Sequence, residues 1–157
     1  MANAILAKPA TGGQTALTIS LASLASSTAG VGRQSTIVDN TSLRYQRLYI
    51  NAKIKLGTSP TGSKGVYLYL IRDDGNGVRD DAAGASDAAL TVLNCPLIGT
   101  LADKAAPATG DVLQRTFVVE NPGPKWGVAV VHDTVAALDS TGGNHVIGYV
   151  GENPEVQ

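Results

Sequence analysis

The residues of this chain that could do chemistry are few and lie far apart in the sequence. The only histidines are His132, which precedes Asp133, and His145. A hydrolytic triad also needs a nucleophile on a strained elbow and an acid that orients the histidine, and the chain contains no Gly-x-Ser-x-Gly sequence. The pattern therefore predicts strand-end histidines that bond to loop backbone, and it predicts that the protein is not an enzyme.

The single cysteine offers no further chemistry. One cysteine excludes both an internal disulfide and a cluster of cysteine metal ligands. Cys95 lies between the apolar residues Leu93 and Leu97, a context typical of a small packed side chain.

An acidic run at 73–77 is the best place for a metal, because hard cations prefer clustered carboxylate and carbonyl oxygens. An EF-hand spacing that starts at Asp74 puts Val78 at its third ligand position, and one that starts at Asp73 puts Gly75 at its second. We therefore predict a solvated acidic loop and no metal. A cation bound within 73–81 is the alternative.

The charge balance argues against polyanionic partners. Twelve Lys and Arg residues and 13 Asp and Glu residues give a formal net charge of −1, which predicts neither nucleic acid binding nor attachment to an anionic membrane. The glycines at 30 and 32 do not open a helix with phosphate-binding spacing, so no nucleotide cofactor is expected. No secretory signal and no apolar run of roughly 18 residues is evident, so we expect a soluble protein made in the cytoplasm.

The elements that must position these residues are strands. At 48–56 every even position is apolar and the odd positions carry Tyr, Asn and Lys, which indicates a strand with one wet face. Other short apolar runs alternate with Gly, Pro and Asn turns, and no long window has a helical period. The sequence predicts an all-β antiparallel two-sheet β-sandwich, of which a jelly roll is one form. We expect one domain over 1–157, with an N-terminal arm or loop at 1–15 and a C-terminal tail at 151–157.

One outer face is the candidate protein-interaction surface. If the strand at 66–71 pairs with 48–56 as a hairpin, tyrosine rings on one strand cover lysine stems on the other. The alternative is an ordinary amphipathic face in solvent. The candidate residues are Tyr49, Lys53, Lys55, Tyr67 and Tyr69.

Tyrosines could also form a platform for carbohydrate, because the C–H faces of sugars stack on aromatic rings. The candidates are Tyr45, Tyr49, Tyr67 and Tyr69. The only tryptophan, Trp126, precedes an apolar run and is predicted to lie in the core.

Three segments together resemble small virion structural proteins of tailed bacteriophages. They are 44–60 (RYQRLYINAKIKLGTSP), 121–133 (NPGPKWGVAVVHD) and 144–157 (NHVIGYVGENPEVQ). From its first segment to its last, the resemblance extends over about two-thirds of the chain, and it includes no catalytic motif.

What the resemblance implies is a capsid decoration, or cement, protein without a cofactor. Such a subunit lies on the capsid surface of the virion, binds the major capsid protein and associates as a homotrimer. It needs a rigid sandwich and repeated weak interfaces that together stabilise a shell. The alternative is a tail or fibre component that binds host glycan through Tyr49, Tyr67 and Tyr69.

Overall fold

The structure, a computed structural model, describes residues 5–10 and 12–156. Within these residues it contains eleven strands and no α-helix, with short 3-10 turns at Asp80–Ala82 and Gly142–Asn144. In chain order, β1 to β11 are Ile5–Pro9, Thr15–Ala16, Val31–Gln34, Val38–Asp39, Arg47–Lys55, Gly65–Asp73, Ala88–Thr91, Leu97–Ala102, Val112–Glu120, Lys125–His132 and Val146–Val156.

The strands form two antiparallel sheets that pack face to face, which confirms the predicted all-β sandwich. The first sheet has the order β1-β11-β5-β9, and the short β2 also pairs with β11. The second has the order β7-β3-β10-β6-β8, and the short β4 also pairs with β10. Apart from the extra strand β7, two four-stranded sheets in these orders have the strand order of a jelly roll.

Alternating side chains place the core between the sheets. In β5, Leu48, Ile50 and Ile54 are each 0% exposed, as the alternation at even positions predicts. From the second sheet, Trp126 is fully buried in the same core, which confirms its predicted position. Its ring meets Tyr149 of β11 edge to face, with centroids 4.9 Å apart.

A second, smaller apolar cluster lies on the far side of the second sheet. The segment between β6 and β8 folds back over that face and buries Ile71 of β6 and Ala129 of β10 beneath Leu90 and Cys95. The second sheet is thus covered on both faces, whereas the first sheet is covered on one.

The segments predicted as an arm and a tail contain paired strands in the residues that the structure describes. The β1 strand pairs with the end of β11 over Ile5↔Val156 to Pro9↔Glu152, and β11 continues to Val156. Backbone pairing needs no particular side chain, so a segment of Ala, Lys and Pro can join a sheet edge without an alternating pattern. The outermost positions of the predicted arm and tail, 1–4 and 157, and position 11 lie outside the described residues.

The predicted hairpin between the strands at 48–56 and 66–71 is wrong. The β5 strand lies between β11 and β9 in the first sheet, and β6 lies between β10 and β8 in the second. The loop at 56–64 joins them across the sandwich, so both strands contribute side chains to the main core instead of sharing a ladder.

Candidate interaction surfaces

We call the outer side of the first sheet the open face; it consists of the outward-pointing side chains of β5, β9 and β11. Three of the five candidate residues belong to it. Tyr49 is half-buried between the neighbouring strands, Lys53 is exposed and Lys55 lies at the end of β5. The amino group of Lys53 has no ion-pair partner among the described residues.

Exposed valines surround these residues on the open face. Val112 and Val118 of β9 are 49% and 54% exposed, and Val146 of β11 is 37% exposed. In the register of the sheet, Val118 lies opposite Tyr49, and Val146 lies opposite Lys53. Sequence reasoning missed these valines, although the two in β9 occupy the phase opposite to Phe117 and Val119 and could have been identified from it.

The charges at one end of the open face are paired with each other. The Arg47 guanidinium lies 2.6 Å from Glu120 Oε1 and 2.9 Å from Glu152 Oε1. The Tyr49 hydroxyl donates to Glu152 Oε2 at 2.9 Å. The hydrogen bond with Glu120 is the main cause that raises the pKa of Arg47 above its ordinary value. These groups form a closed network, in which the charged and polar atoms are paired with each other without a ligand.

At the opposite end, Lys55 is held by a carboxylate from the loop before β11. Its amino group lies 3.3 Å from Asp139 Oδ2. The amide of Asn144 and the N–H of Thr141 donate to Asp139 Oδ1 at 2.7 and 2.9 Å. Together with Lys55 these bonds, led by that of Asn144, lower the pKa of Asp139 to about 2.

The other two candidate residues lie on the opposite side of the molecule. Tyr67 and Tyr69 point outward from β6 in the second sheet. The Tyr67 hydroxyl donates to Asp133 Oδ1 at 3.3 Å, and burial, followed by the charge of Asp133, raises the pKa of Tyr67. Tyr69 packs against the smaller apolar cluster. The structure therefore does not bring the five residues together into one surface.

Both histidines bond to loop backbone, as the sequence predicts. His132 is 0% exposed, and its Nε2 lies 2.8 Å from the carbonyl oxygen of Leu24. Its Nδ1 lies 2.9 Å from the Thr134 hydroxyl. His145 Nε2 lies 2.8 Å from the carbonyl oxygen of Asp139. Since Leu24 O and Asp139 O can only accept, each Nε2 carries the proton and each ring clamps a loop onto a strand end.

The acidic run at 73–77 is stabilised from within the chain. Asp73 is 2% exposed and lies 2.6 Å from the Arg79 Nε, so it forms a buried ion pair. Asp74 Oδ1 accepts the N–H groups of Asn76 and Val78 at 2.7 and 3.1 Å. In the described part of the chain, no three His, Cys, Asp or Glu residues are grouped so that they could hold a metal ion.

Cys95 is buried in the smaller cluster at 6% exposure, as predicted. Burial, and then the neighbouring Asp81, raises the pKa of its thiol well above the ordinary value. The Asp81 carboxylate accepts the backbone N–H groups of Leu93, Asn94 and Cys95 at 2.8–3.1 Å. This carboxylate fixes the segment that carries Cys95 and thereby holds the thiol in place.

Comparisons of the chain with protein-family models, with curated proteins and with solved structures found no match. Across residues 5–10 and 12–156, no helix has the length and apolar character needed to cross a membrane.

Proposed function

We propose that the chain is a bacteriophage virion structural protein that binds the outer capsid surface and stabilises the head, as a decoration or cement subunit. Its partners are the major capsid protein and copies of itself in a homotrimer. The observation that carries the proposal is the resemblance of 44–60, 121–133 and 144–157 to small phage virion proteins. These segments contain β5, β10 and β11, so the resemblance covers central strands of both sheets.

The open face supports this role and suggests where the capsid is bound. It is a broad antiparallel surface on which exposed valines lie beside neutral polar side chains and Lys53. Its remaining charges near Tyr49 are paired within the chain, so contact with a partner does not bury them without a counter-charge. Burial of the valines then contributes favourable free energy of binding. Many copies, each bound weakly, together stabilise a shell.

The alternative, a tail or fibre component that binds host glycan through Tyr49, Tyr67 and Tyr69, has less support. Tyr49 lies on the open face, whereas Tyr67 and Tyr69 lie on the second sheet, and Tyr69 packs into the smaller cluster. A single sugar chain cannot stack on all three rings at one flat platform.

Co-sedimentation with undecorated capsids tests the proposal. We expect the protein to sediment with the capsids and to raise their melting temperature, because a ligand that binds only the assembled shell stabilises it. Absence of both effects would refute the capsid role. Sedimentation velocity of the free protein measures its oligomeric state, and a monomer at every concentration would contradict the trimer.

A pair of valine variants tests the open face separately. Val118→Asp places a charge on the open face, and Val78→Asp places the same charge on a 71% exposed valine of the loop after β6. We expect Val118→Asp to weaken capsid binding at least about tenfold, since an unpaired buried charge is costly. Val78→Asp should bind normally. Loss of binding in Val78→Asp alone would assign the capsid contact to the covered side.

A further inference from the structure

In the part of the chain that the structure describes, the free edge of β9 is the longest unpaired strand edge. The nine residues of β9 pair with β5 without a register shift, and no strand pairs on the other side of β9. The other outermost strands, β1, β7 and β8, have five, four and six residues. β9 contains neither proline nor glycine. A long, regular edge of this kind is a template for pairing with another chain.

The backbone of β9 points to β5 at odd positions and to the free edge at even positions. The hydrogen bonds just beyond the two ends of β9 fix this alternation: the Leu56 N–H donates to Asp111 O at 2.8 Å, and the Asn121 N–H donates to Gln46 O at 2.7 Å. Both backbone groups of one residue point to the same side of an antiparallel strand, and those of the next residue point to the other side. The residues whose N–H and C=O groups have no partner in the described structure are Val112, Gln114, Thr116, Val118 and Glu120.

The carboxylates at the two ends of this edge already have partners. Asp111, which precedes β9, lies 2.9 Å from the Lys104 amino group. Glu120, the last residue of β9, lies 2.6 Å from the Arg47 guanidinium. A segment that pairs with β9 therefore meets no uncompensated negative charge at either end.

The middle of the edge carries an uncompensated cation. Arg115 is exposed, and its guanidinium lies 5.1 Å from the centre of the Phe117 ring. Its Nη1 donates to the neutral carbonyl oxygen of Thr100 at 3.3 Å. No carboxylate among the described residues forms an ion pair with it. The free edge thus combines unpaired backbone groups with one positive charge.

A second copy of the chain fits this edge poorly. Twofold antiparallel pairing of two β9 edges over all nine residues places Thr116 opposite itself and Arg115 opposite Phe117 of the second copy. The two Arg115 side chains then occupy diagonal positions on the same face, about 7–8 Å apart, and repel each other. No residue of that row in β9 is acidic. A different chain with an acidic side chain opposite Arg115 instead gains a charge-assisted hydrogen bond.

We propose that the free edge of β9 binds an extended segment of a partner protein as an added strand, with an acidic residue opposite Arg115 and β-branched apolar residues beside Val112 and Val118. Main-chain hydrogen bonds supply the affinity of such a strand, and its side chains supply the specificity. The inference does not rest on the capsid role, because it concerns the backbone edge of β9 and holds for any partner that carries such a segment.

Peptide titration of the ¹⁵N-labelled protein tests the edge. The probe is acetyl-Val-Thr-Thr-Glu-Thr-Thr-Val-amide, in which the glutamate lies opposite Arg115 and the valines lie beside Val112 and Val118 in either strand direction. The control peptide has lysine in place of glutamate. Both are added up to about 10 mM, since ordering a free strand costs entropy.

We expect the glutamate peptide to cause saturable shifts and slower hydrogen exchange at the even-numbered amides of β9. The odd-numbered amides already bond to β5 and should change less. The glutamate peptide should bind at least about fivefold more tightly than the lysine peptide, because attraction to Arg115 replaces repulsion. The proposal is wrong if neither peptide alters the even-numbered amides or if the two peptides bind equally.

Two variants and one control separate the backbone from the charge. Gln114→Pro removes an N–H that faces the free edge, where proline is tolerated, and should weaken binding of the glutamate peptide about tenfold. Arg115→Gln should reduce the preference for the glutamate peptide to within about twofold. Arg72→Gln alters an exposed arginine of β6 and should bind both peptides normally.

Urea unfolding verifies that each variant is folded, and Arg115→Gln tests the proposal even if Gln114→Pro does not fold. Wild-type binding by Arg115→Gln, with its peptide preference intact, would overturn the proposal. Sedimentation velocity of the free protein supplies a further test. A dimer that is lost in Gln114→Pro would assign the edge to a second copy and contradict the proposed partner.

Discussion

The two sheets differ in whether the outer face is covered by the chain. The second sheet is covered by its own chain, with Ile71 and Ala129 fully buried outside the main core. The first sheet presents Val118, Lys53 and a closed charge network to solvent. Both faces are built from alternating strands, so the difference comes from the segment between β6 and β8, which packs on one sheet only.

That difference indicates where a partner can bind. Tyrosines on the covered face already have partners within the chain: Tyr67 bonds to Asp133, and Tyr69 packs into the smaller cluster. Exposed valines on the open face have no such cover in the described structure. A variant on the covered face should therefore change folding, whereas one on the open face should change binding.

The largest effect is expected from Ile71→Ala. Ile71 is 0% exposed in the smaller cluster, and a buried isoleucine truncated to alanine loses about 3 kcal/mol from the free energy of unfolding. Urea unfolding measures the change. A loss below about 1 kcal/mol would indicate that the covering segment is not packed tightly on the second sheet.

Gln34→Ala should have the next largest effect and should act locally. The buried Gln34 side chain donates to the carbonyl oxygens of Gly84 and Ser86 at 2.8 and 2.7 Å and accepts the Gly84 N–H at 3.2 Å. Its loss leaves these groups unpaired and should cost about 2 kcal/mol. Hydrogen exchange should accelerate at 84–95 while β5 stays protected. Uniform acceleration in both sheets would contradict the idea that Gln34 anchors the cover.

The sequence predicts which strands are buried but not which strands are neighbours. The alternation in β5 and the apolar run after Trp126 predict buried strands, and both are confirmed: β5 buries every second side chain in the main core, whereas β10 is buried on both faces. The neighbour of each strand is not encoded in that alternation, so β5 and β6 were wrongly paired. Tyr67 and Tyr69 looked like partners of Lys53 and Lys55 for this reason alone.

The position of the loop at 40–46 and the cover over Ile71 were not predictable for a related reason. Both depend on single polar side chains, Asn40 and Gln34, which bond to backbone far away in sequence. In the sequence an isolated Asn or Gln resembles a turn or surface residue. Only the packed structure reveals that it is buried and fixes a loop.

A pH effect should follow from the histidine at the end of β10. Burial lowers the pKa of His132 below the ordinary value of 6.5. Well above pH 6.5 both states are neutral, so His132 adds no pH dependence. As the pH falls through 6.5, the unfolded chain gains a proton first and stability decreases. His132→Gln should flatten this part of the profile measured by urea unfolding between pH 7.5 and about 5. An unchanged slope would show that other groups cause it.

The smallest effect on stability is expected on the open face, and it is the sharpest test of the contrast between the sheets. Lys53 is exposed and has no ion-pair partner among the described residues, so Lys53→Ala should change the free energy of unfolding by less than about 0.5 kcal/mol. Tyr49→Phe removes the bond to Glu152 and should cost about 1 kcal/mol at most. Both are measured by urea unfolding beside Ile71→Ala. If either variant destabilises the fold as much as Ile71→Ala does, the open face serves folding, and its exposed side chains are no longer an argument for a partner.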